Sequence, residues 1–231
     1  TSTLSGGEKQ LIALASLFAM KLQILLLDEP TSYLDADSSR DILQIISELN
    51  RKFDITVIVA THRIHTIATL CNRSWSLRNA EITEELSVHN IQAKRAETWK
   101  RSAPYIQDRK NLLKMTNTSF NYKGQLGILE NISLQIGYGE IIALMGQNGS
   151  GKTTLLMLMA QLLRPTFGEV TLDNFRPKRE GDGKIGLVFQ NADLVLQAQT
   201  VGDEIRFCPR NFGLKHHLLE NRSDETGRAH V

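Results

Sequence analysis

"GEIIALMGQNGSGKTTLLMLMAQLL" spans residues 139–163 and decides the fold. Its first part, "GEIIALMG" (139–146), is a short apolar run of the kind that forms a buried parallel strand. Its middle, "GQNGSGKT" (146–153), fits the pattern G-x-x-x-x-G-K-[ST] at every fixed position. Its last part, "KTTLLMLMAQLL" (152–163), is apolar and predicts a buried helix. A strand, a glycine-rich loop and a helix in this order predict a phosphate-binding loop in an α/β fold.

The loop has the chemistry that a polyphosphate needs. Glycines let the backbone curl tightly around an anion, and the start of the following helix presents unpaired N–H groups. We expect Lys152 to place a positive charge at the β- and γ-phosphates and Thr153 to place a hydroxyl on Mg²⁺. The alternative, a glycine-rich turn with a chance lysine, arises in roughly one chain in a hundred of this size. The nucleotide-binding residues predicted here are Gly146, Asn148, Gly149, Ser150, Gly151, Lys152, Thr153 and Thr154.

Two acids end another short apolar run, "ILLLDEP" (24–30). Ionised carboxylates at the end of a buried strand need a partner. A nucleotide's Mg²⁺ suits Asp28, through water, and Glu29 would then activate the attacking water as general base. The alternative is that these acids cap a helix, as acids at strand ends often do.

A histidine ends the next apolar run, in "VIVATHRI" (57–64). The carboxyl ends of parallel strands converge on the ligand crevice, so His62 is predicted to hydrogen-bond the γ-phosphate and hold the attacking water. A lone histidine is more often a satisfied core residue, and we assign that ordinary role to His65.

The composition excludes several classes of protein. Of 231 residues, 41% are hydrophobic and 23% charged, as in an ordinary globular protein. The net charge of +2 and the 6% aromatic content argue against a nucleic-acid partner. The two cysteines match no metal spacing and indicate reduced thiols in a cytoplasmic protein.

Composition and periodicity divide the chain into three parts. Residues 1–86 alternate between helix and strand patterns, and residues 111–231 begin a second α/β unit that contains the phosphate loop. Residues 87–110 between them are polar and basic with weak periodicity, which predicts a linker; binding of its basic residues to anionic lipid is the alternative.

Taken together, these motifs resemble those of the ATP-binding-cassette (ABC) ATPases. "LSGGEKQ" (4–10) resembles the signature of that family, "ILLLDEPTSYLD" (24–35) its Walker B strand with the following D-loop, and "ATH" (60–62) its switch-histidine segment. "VFQNADLVLQAQTVGDEIRFCPRNFGL" (188–214) resembles the Q-loop region of energy-coupling-factor and cobalt-type importers, with cysteine where glycine is usual. The resemblance implies a P-loop NTPase fold with a mostly parallel sheet flanked by helices.

The resemblance also implies roles for further residues. Tyr122 would stack on adenine, and Gln190 would sense Mg²⁺ and contact a membrane partner. Asp35 belongs to the D-loop. In the family two cassettes close head to tail on ATP, so Ser5, Gly6 and Gly7 would face the γ-phosphate of a second cassette or homologous ATPase. Transmembrane transporter subunits are the implied partners, with the chain on the inner face of the cell membrane.

The motifs stand in an unusual order, because the signature precedes the phosphate loop. Tandem members of the family explain this order, if residues 1–86 are the C-terminal half of a first cassette and residues 111–231 the N-terminal part of a second. We expect the two parts to dock as one permuted parallel sheet, with "ILLLDEP" beside the phosphate-loop strand and Asp28, Glu29 and His62 around Lys152 and Thr153. The rival arrangement places Ser5 opposite Gly149 across a domain interface.

The predicted function is an ATP-binding and ATP-hydrolysing subunit that energises a membrane importer, with ATP and Mg²⁺ as cofactors. Two alternatives stay open from the sequence. One is a non-transport ABC ATPase that acts on ribosomes or DNA, and the other is an inactive nucleotide-binding fragment.

Overall fold

A six-stranded sheet lies at the centre of the molecule. The computed structural model describes residues 6–18, 20, 22–32, 34–68, 70–86, 110–125, 127–173, 184–191, 196–198 and 200–211. All of the predicted linker except Lys110 lies outside the described residues. The strands of the central sheet are β1 (Ile24–Asp28), β2 (Thr56–Thr61), β3 (Arg73–Arg78), β4 (Glu81–Leu86), β7 (Ile141–Met145) and β9 (Ile185–Val188).

The order in the sheet is β4–β3–β7–β2–β1–β9. Every neighbouring pair is parallel except the β3–β4 hairpin. Strand β7, from the second part of the sequence, lies between β2 and β3 from the first part, with Ala60 opposite Leu144. Both parts therefore build one permuted parallel sheet, as expected, and the predicted α/β fold with a mostly parallel sheet is confirmed.

The expectation that "ILLLDEP" lies beside the phosphate-loop strand is wrong. Strand β2 lies between β1 and β7 and pairs with both of them. All six residues of β2 are buried, and all five of β1 are buried as well. Since each strand is apolar on both faces, burial alone does not fix which of them takes the position next to β7.

Helices and a second sheet cover the two faces of the central sheet. The helices are α1 (Gly6–Phe18), α2 (Ala36–Phe53), α3 (Ile64–Ile67), α4 (Lys152–Met159) and α5 (Val201–Asn211). Leu25 and Leu27 of β1 pack in one core with residues of α1 and α2. Ile24 and Leu26 of the same strand point to the other core, which contains residues of α4. This alternation explains why β1 is apolar at every position. Among the described helices, none is both long and apolar enough to cross a membrane.

The second sheet has three antiparallel strands in the order β6–β5–β8. They are β5 (Asn111–Phe120), β6 (Leu129–Gly137) and β8 (Phe167–Leu172). Alternate residues of β5, such as Leu113 and Met115, are buried in the core that also contains α4.

Two of the described helices are not predicted from the sequence. Helix α3 has four residues and follows β2 directly. Helix α5 begins after Thr200, whose hydroxyl accepts a hydrogen bond from the backbone N–H of Asp203 at 3.1 Å and donates to the Asp203 carboxylate at 2.7 Å. This Thr-x-x-Asp pattern is a capping signal that can be read from the sequence.

Buried polar side chains join the two parts of the chain at the edge of the sheet where β2 and β7 begin. The Asn50 amide donates to the carbonyls of Ile55 at 2.7 Å and Gly139 at 3.0 Å. The Thr56 hydroxyl accepts from the Gly139 N–H at 2.7 Å, and the Asn72 side chain accepts from the Ile141 N–H at 2.7 Å. These bonds fix the register of β7 against its neighbours.

We predict that Asn50→Ala lowers the free energy of unfolding by about 1–3 kcal/mol, because it leaves two buried carbonyls without their donor. Urea denaturation of the full chain measures this change. Gln44→Ala, an exposed change on the same helix, is the matched control and should change stability by less than about 0.5 kcal/mol. Equal losses in the two variants would contradict a role for this amide in joining the parts.

Candidate functional site

The candidate site lies where the parallel strands of the central sheet end. Asp28 ends β1, His62 follows β2, and the glycine-rich loop follows β7. Because β1, β2 and β7 run in the same direction, these residues meet at one edge of the sheet. Gln190 lies two residues beyond β9 at that edge and is exposed.

Glycine is required by geometry at two positions of the loop. Gly151 has a φ of 96°, and a Cβ there would lie 3.0 Å from the Ile128 carbonyl oxygen. At Gly146 a Cβ would lie 2.4 Å from Ser150 Oγ and 2.7 Å from the Leu77 carbonyl oxygen. The loop is therefore packed tightly at both of its ends, while Asn148 and Gly149 at its crest are exposed.

The Lys152 ammonium is buried and bonds to the loop itself. Its Nζ donates to the carbonyls of Gly146 at 2.9 Å and Gln147 at 3.1 Å. It lies 3.7 Å from Glu29 Oε1, and both side chains are less than 10% exposed. A phosphate that enters the loop would replace these carbonyls as the partner of the ammonium.

Asp28 and Thr153 form a direct hydrogen bond between the two parts of the chain. The Thr153 hydroxyl donates to Asp28 Oδ2 at 2.5 Å. The permuted arrangement predicts that Asp28 and Thr153 lie close together, whereas the rival contact of Ser5 with Gly149 falls outside the described residues. Burial raises the pKa of Asp28, and the negative charge of Glu29 acts in the same direction, against the lowering effects of the Thr153 hydroxyl and the Lys152 charge.

Glu29 lies at the centre of a set of donors. Its Oε1 accepts from the His62 backbone N–H at 3.0 Å and lies 2.8 Å from His62 Nδ1. Its Oε2 accepts from the hydroxyls of Thr61 and Ser32, each at 3.3 Å. Arg63 Nε donates to His62 Nε2 at 3.3 Å, so Nδ1 carries the proton of the neutral ring. Glu29 itself has a φ of 48°, a left-handed conformation that is uncommon for a residue with a side chain.

Two further predicted residues lie around the site. The Tyr122 hydroxyl lies 3.4 Å from Thr154 Oγ1, and its ring packs edge-on against Phe120 with 38% of the residue exposed. Asp35 caps helix α2, where its Oδ1 accepts from the backbone N–H groups of Asp37 and Ser38, each at 2.9 Å. The hydrogen bonds from Ser38 lower the pKa of Asp35.

The predicted signature residues are only partly described. Ser5 lies outside the described residues, whereas Gly6 and Gly7 begin helix α1. The described part of α1 packs against α5, α2 and β9. The structure thus brings Asp28, Glu29, His62, Lys152 and Thr153 together.

A cavity of about 740 Å³ opens beside the loop. It is lined by the loop residues 145–150, by His62, by residues 76–80 of the β3–β4 hairpin and by Gly127 and Ile128. Its size is typical of small-molecule sites. No sequence motif marks the hairpin residues, Arg78 and Asn79 among them, so their position in the wall of this cavity is not predicted from the sequence.

The residues present fit a phosphate and a hard cation. Among the described residues, Ser150 Oγ is buried and has no hydrogen-bond partner. It lies in the glycine-rich loop, where a bound phosphate would supply that partner. Thr153 and Asp28 offer a hydroxyl and a carboxylate oxygen, which Mg²⁺ prefers together with phosphate and water oxygens.

Two family models match the chain. The model described as "ABC transporter" matches residues 129–229, and the model described as "AAA domain, putative AbiEii toxin, Type IV TA system" matches residues 2–68. The first match contains the phosphate loop, and the second contains Asp28, Glu29 and His62.

Curated proteins are similar over nearly the whole chain. A "Putative ABC transporter ATP-binding protein" of Methanosarcina mazei is 32% identical over 96% of this chain and 48% of its own length. The "Putative HMP/thiamine import ATP-binding protein YkoD" of Bacillus subtilis is 30% identical over 100% of this chain and 49% of its own length. The chain thus spans about half the length of these relatives.

We predict that Asp28→Asn stabilises the chain at pH 7 in the absence of metal. The pKa of Asp28 is raised in the folded state, so its ionised form opposes folding above that pKa, and the opposition disappears as the pH falls toward the unfolded value of 3.8. Urea denaturation at pH 7 and at pH 4.5 should show an advantage for the variant that shrinks at the lower pH. Asp41→Asn, on the exposed face of α2, is the control. A variant that is less stable than the parent at pH 7 would contradict this assignment.

Proposed function

We propose that the chain belongs to the ABC transporter ATP-binding protein family and is part of an ATP-binding and ATP-hydrolysing subunit that energises a membrane importer. One observation carries the proposal. The phosphate loop with Lys152 and Thr153 and the acid pair Asp28 and Glu29 come from opposite parts of the sequence, yet the Thr153–Asp28 hydrogen bond joins them. Binding and hydrolysis groups then share one crevice, which is the arrangement that ATP turnover needs.

Nucleotide binding begins at the loop. The β- and γ-phosphates take the place of the Gly146 and Gln147 carbonyls around Lys152 Nζ, and the N-terminus of α4 faces the same charges. Tyr122, whose ring is partly exposed at the side of the loop, provides the stacking surface for adenine. Asn148 and Gly149 offer backbone N–H groups at the crest of the loop.

Hydrolysis needs a base beside the γ-phosphate. Glu29 is the proposed general base, because its carboxylate lies 3.7 Å from the Lys152 ammonium that would hold that phosphate. His62 holds Glu29 through its backbone N–H and its ring Nδ1, and orients the attacking water. Thr153, Asp28 and Gln190 would hold Mg²⁺, which supplies charge neutralisation of the phosphates when bound.

The importer assignment rests on sequence likeness. The Q-loop phrase at residues 188–214 resembles that of energy-coupling-factor importers, and one relative carries import in its name. Transmembrane subunits would read the state of the ATPase on the inner face of the membrane. Ser5, Gly6 and Gly7 would meet the phosphate loop of a second ATPase in a head-to-tail pair, and Asp35 would lie in that contact. Stimulation of turnover by RNA or DNA, rather than by membrane subunits, would instead favour the non-transport alternative.

We predict that Lys152→Ala weakens ATP binding by about 2 kcal/mol, or roughly thirtyfold, because it removes the charge opposite the phosphates. Isothermal titration with ATP and EDTA measures the dissociation constant without hydrolysis. Lys114→Ala, on an exposed position of β5, removes an equal charge away from the site and should leave affinity unchanged. Unchanged affinity in Lys152→Ala would refute the phosphate-loop assignment.

We predict that Glu29→Gln lowers ATP turnover by at least about a hundredfold and leaves ATP binding within a few fold of the parent. Glutamine keeps an acceptor for the His62 N–H but cannot accept the proton of water. Phosphate release under single-turnover conditions, with and without membrane partners, gives the rate. Glu48→Gln on α2 is the matched control. Normal turnover in Glu29→Gln would show that another group is the base.

A further inference from the structure

We propose that Arg78, at the tip of the β3–β4 hairpin, binds the phosphate chain of the nucleotide on the side opposite to Asp28 and Glu29. The inference rests on the proposed function, because it assigns a further binding residue to the same ATP site. Arg78 would raise affinity for the phosphate chain without taking part in hydrolysis.

The hairpin is held against the loop by its backbone. Leu77 is fully buried, and its carbonyl oxygen would lie 2.7 Å from a Cβ placed on Gly146. Successive side chains of a strand point to opposite faces, so burial of Leu77 turns Arg78 away from the core. Arg78 is exposed and lines the cavity beside the loop.

The turn that follows is anchored as well. Asn79 and Ala80 have φ values of 49° and 66°, as the two central residues of a tight hairpin turn require. The Ala80 carbonyl accepts a hydrogen bond from the Glu130 N–H at 2.8 Å, which ties the turn to β6. The backbone is therefore fixed on both sides of Arg78, at Leu77 before it and at Ala80 after it.

The charge of the cavity points to an anion. Among the described residues that line it, none is a carboxylate, and Arg78 is the one side chain that stays charged at every physiological pH. Within the described part of the chain, the Arg78 guanidinium forms no hydrogen bond or ion pair, whereas the Arg78 backbone pairs with Glu81 in the hairpin. A guanidinium presents a fork of N–H donors that matches the oxygens of a phosphate group. Because the cavity lies beside the phosphate loop and has no carboxylate among its described lining residues, a phosphate is the partner that fits Arg78.

Sheet order decides which part of the nucleotide Arg78 reaches. Strand β3 borders β7 on one side, and β2 and then β1 follow on the other. Glu29 and Asp28 thus approach the loop from the β2 side, where the γ-phosphate would be hydrolysed. Arg78 shares its wall with Gly127 and Ile128, which follow Tyr122 in the same connection. Arg78 accordingly faces the phosphates toward the ribose rather than the γ-phosphate.

The test compares nucleotide affinities of the full chain. We expect Arg78→Ala to weaken ADP and ATP binding by an equal factor of about five to ten, because the γ-phosphate is not involved. The affinity for adenosine should not change. The loss should shrink at 0.5 M salt, since the guanidinium is exposed. Arg78→Lys keeps the charge without the fork and should recover part of the affinity.

Arg51→Ala is the matched control, because Arg51 is exposed in the last turn of α2, at the opposite edge of the sheet. Under turnover conditions Arg78→Ala should raise KM for ATP and leave kcat within twofold. ADP affinity equal to that of the parent, in a preparation where Lys152→Ala has lost affinity, would overturn the role of Arg78 and leave the proposed function standing. A parent chain that binds neither ADP nor ATP would overturn both. A loss in Arg78→Ala that comes with a lowered unfolding midpoint and no recovery by lysine would also overturn it, because the effect would then lie in the fold.

Discussion

The pairing of β7 with β2 on one side and β3 on the other is the constraint on which the molecule depends. These ladders place the phosphate loop beside His62 and beside the hairpin tip, and they satisfy the backbone of a strand whose first four residues are fully buried. A buried strand without neighbours would leave its N–H and C=O groups unpaired. The site therefore forms only when the two parts of the chain share one sheet, and the buried Asn50 amide secures that sheet at its opposite edge.

Much of this architecture follows from the sequence. Apolar runs that end in Asp28, His62 and the glycine-rich loop define parallel strands whose carboxyl ends must meet. The order of β1 and β2 could not be predicted, because each strand is apolar on both faces and either could lie beside β7. The position of the hairpin tip beside the loop could not be predicted, since it depends on the pairing of β3 with β7 and no local pattern indicates that contact.

The charged groups of the crevice bond to one another and to the nearby backbone and hydroxyl groups. Lys152 donates to loop carbonyls, Thr153 donates to Asp28, and Glu29 accepts from His62 and Thr61. A phosphate would replace the Lys152 bonds to loop carbonyls with bonds in which both partners are charged. These internal bonds reduce the cost of burying several charges in one crevice, and they lower the net gain on nucleotide binding because they must be broken first.

The same balance bears on how the proposed binding residues and the proposed catalytic residues are arranged. Glu29 and Asp28 lie on the β2 side of the loop, where their negative charges oppose each other and burial raises the pKa of Asp28. A polyphosphate bound only on the β2 side of the loop would contact the carboxylates of Asp28 and Glu29 and the ammonium of Lys152. Positive charge from the β3 side would change this balance from across β7, because β2 and β1, the strand that Asp28 ends, lie on the other side of β7. Under the proposed function, sheet order would therefore place a determinant of affinity for the phosphate chain apart from the carboxylates that act at its end.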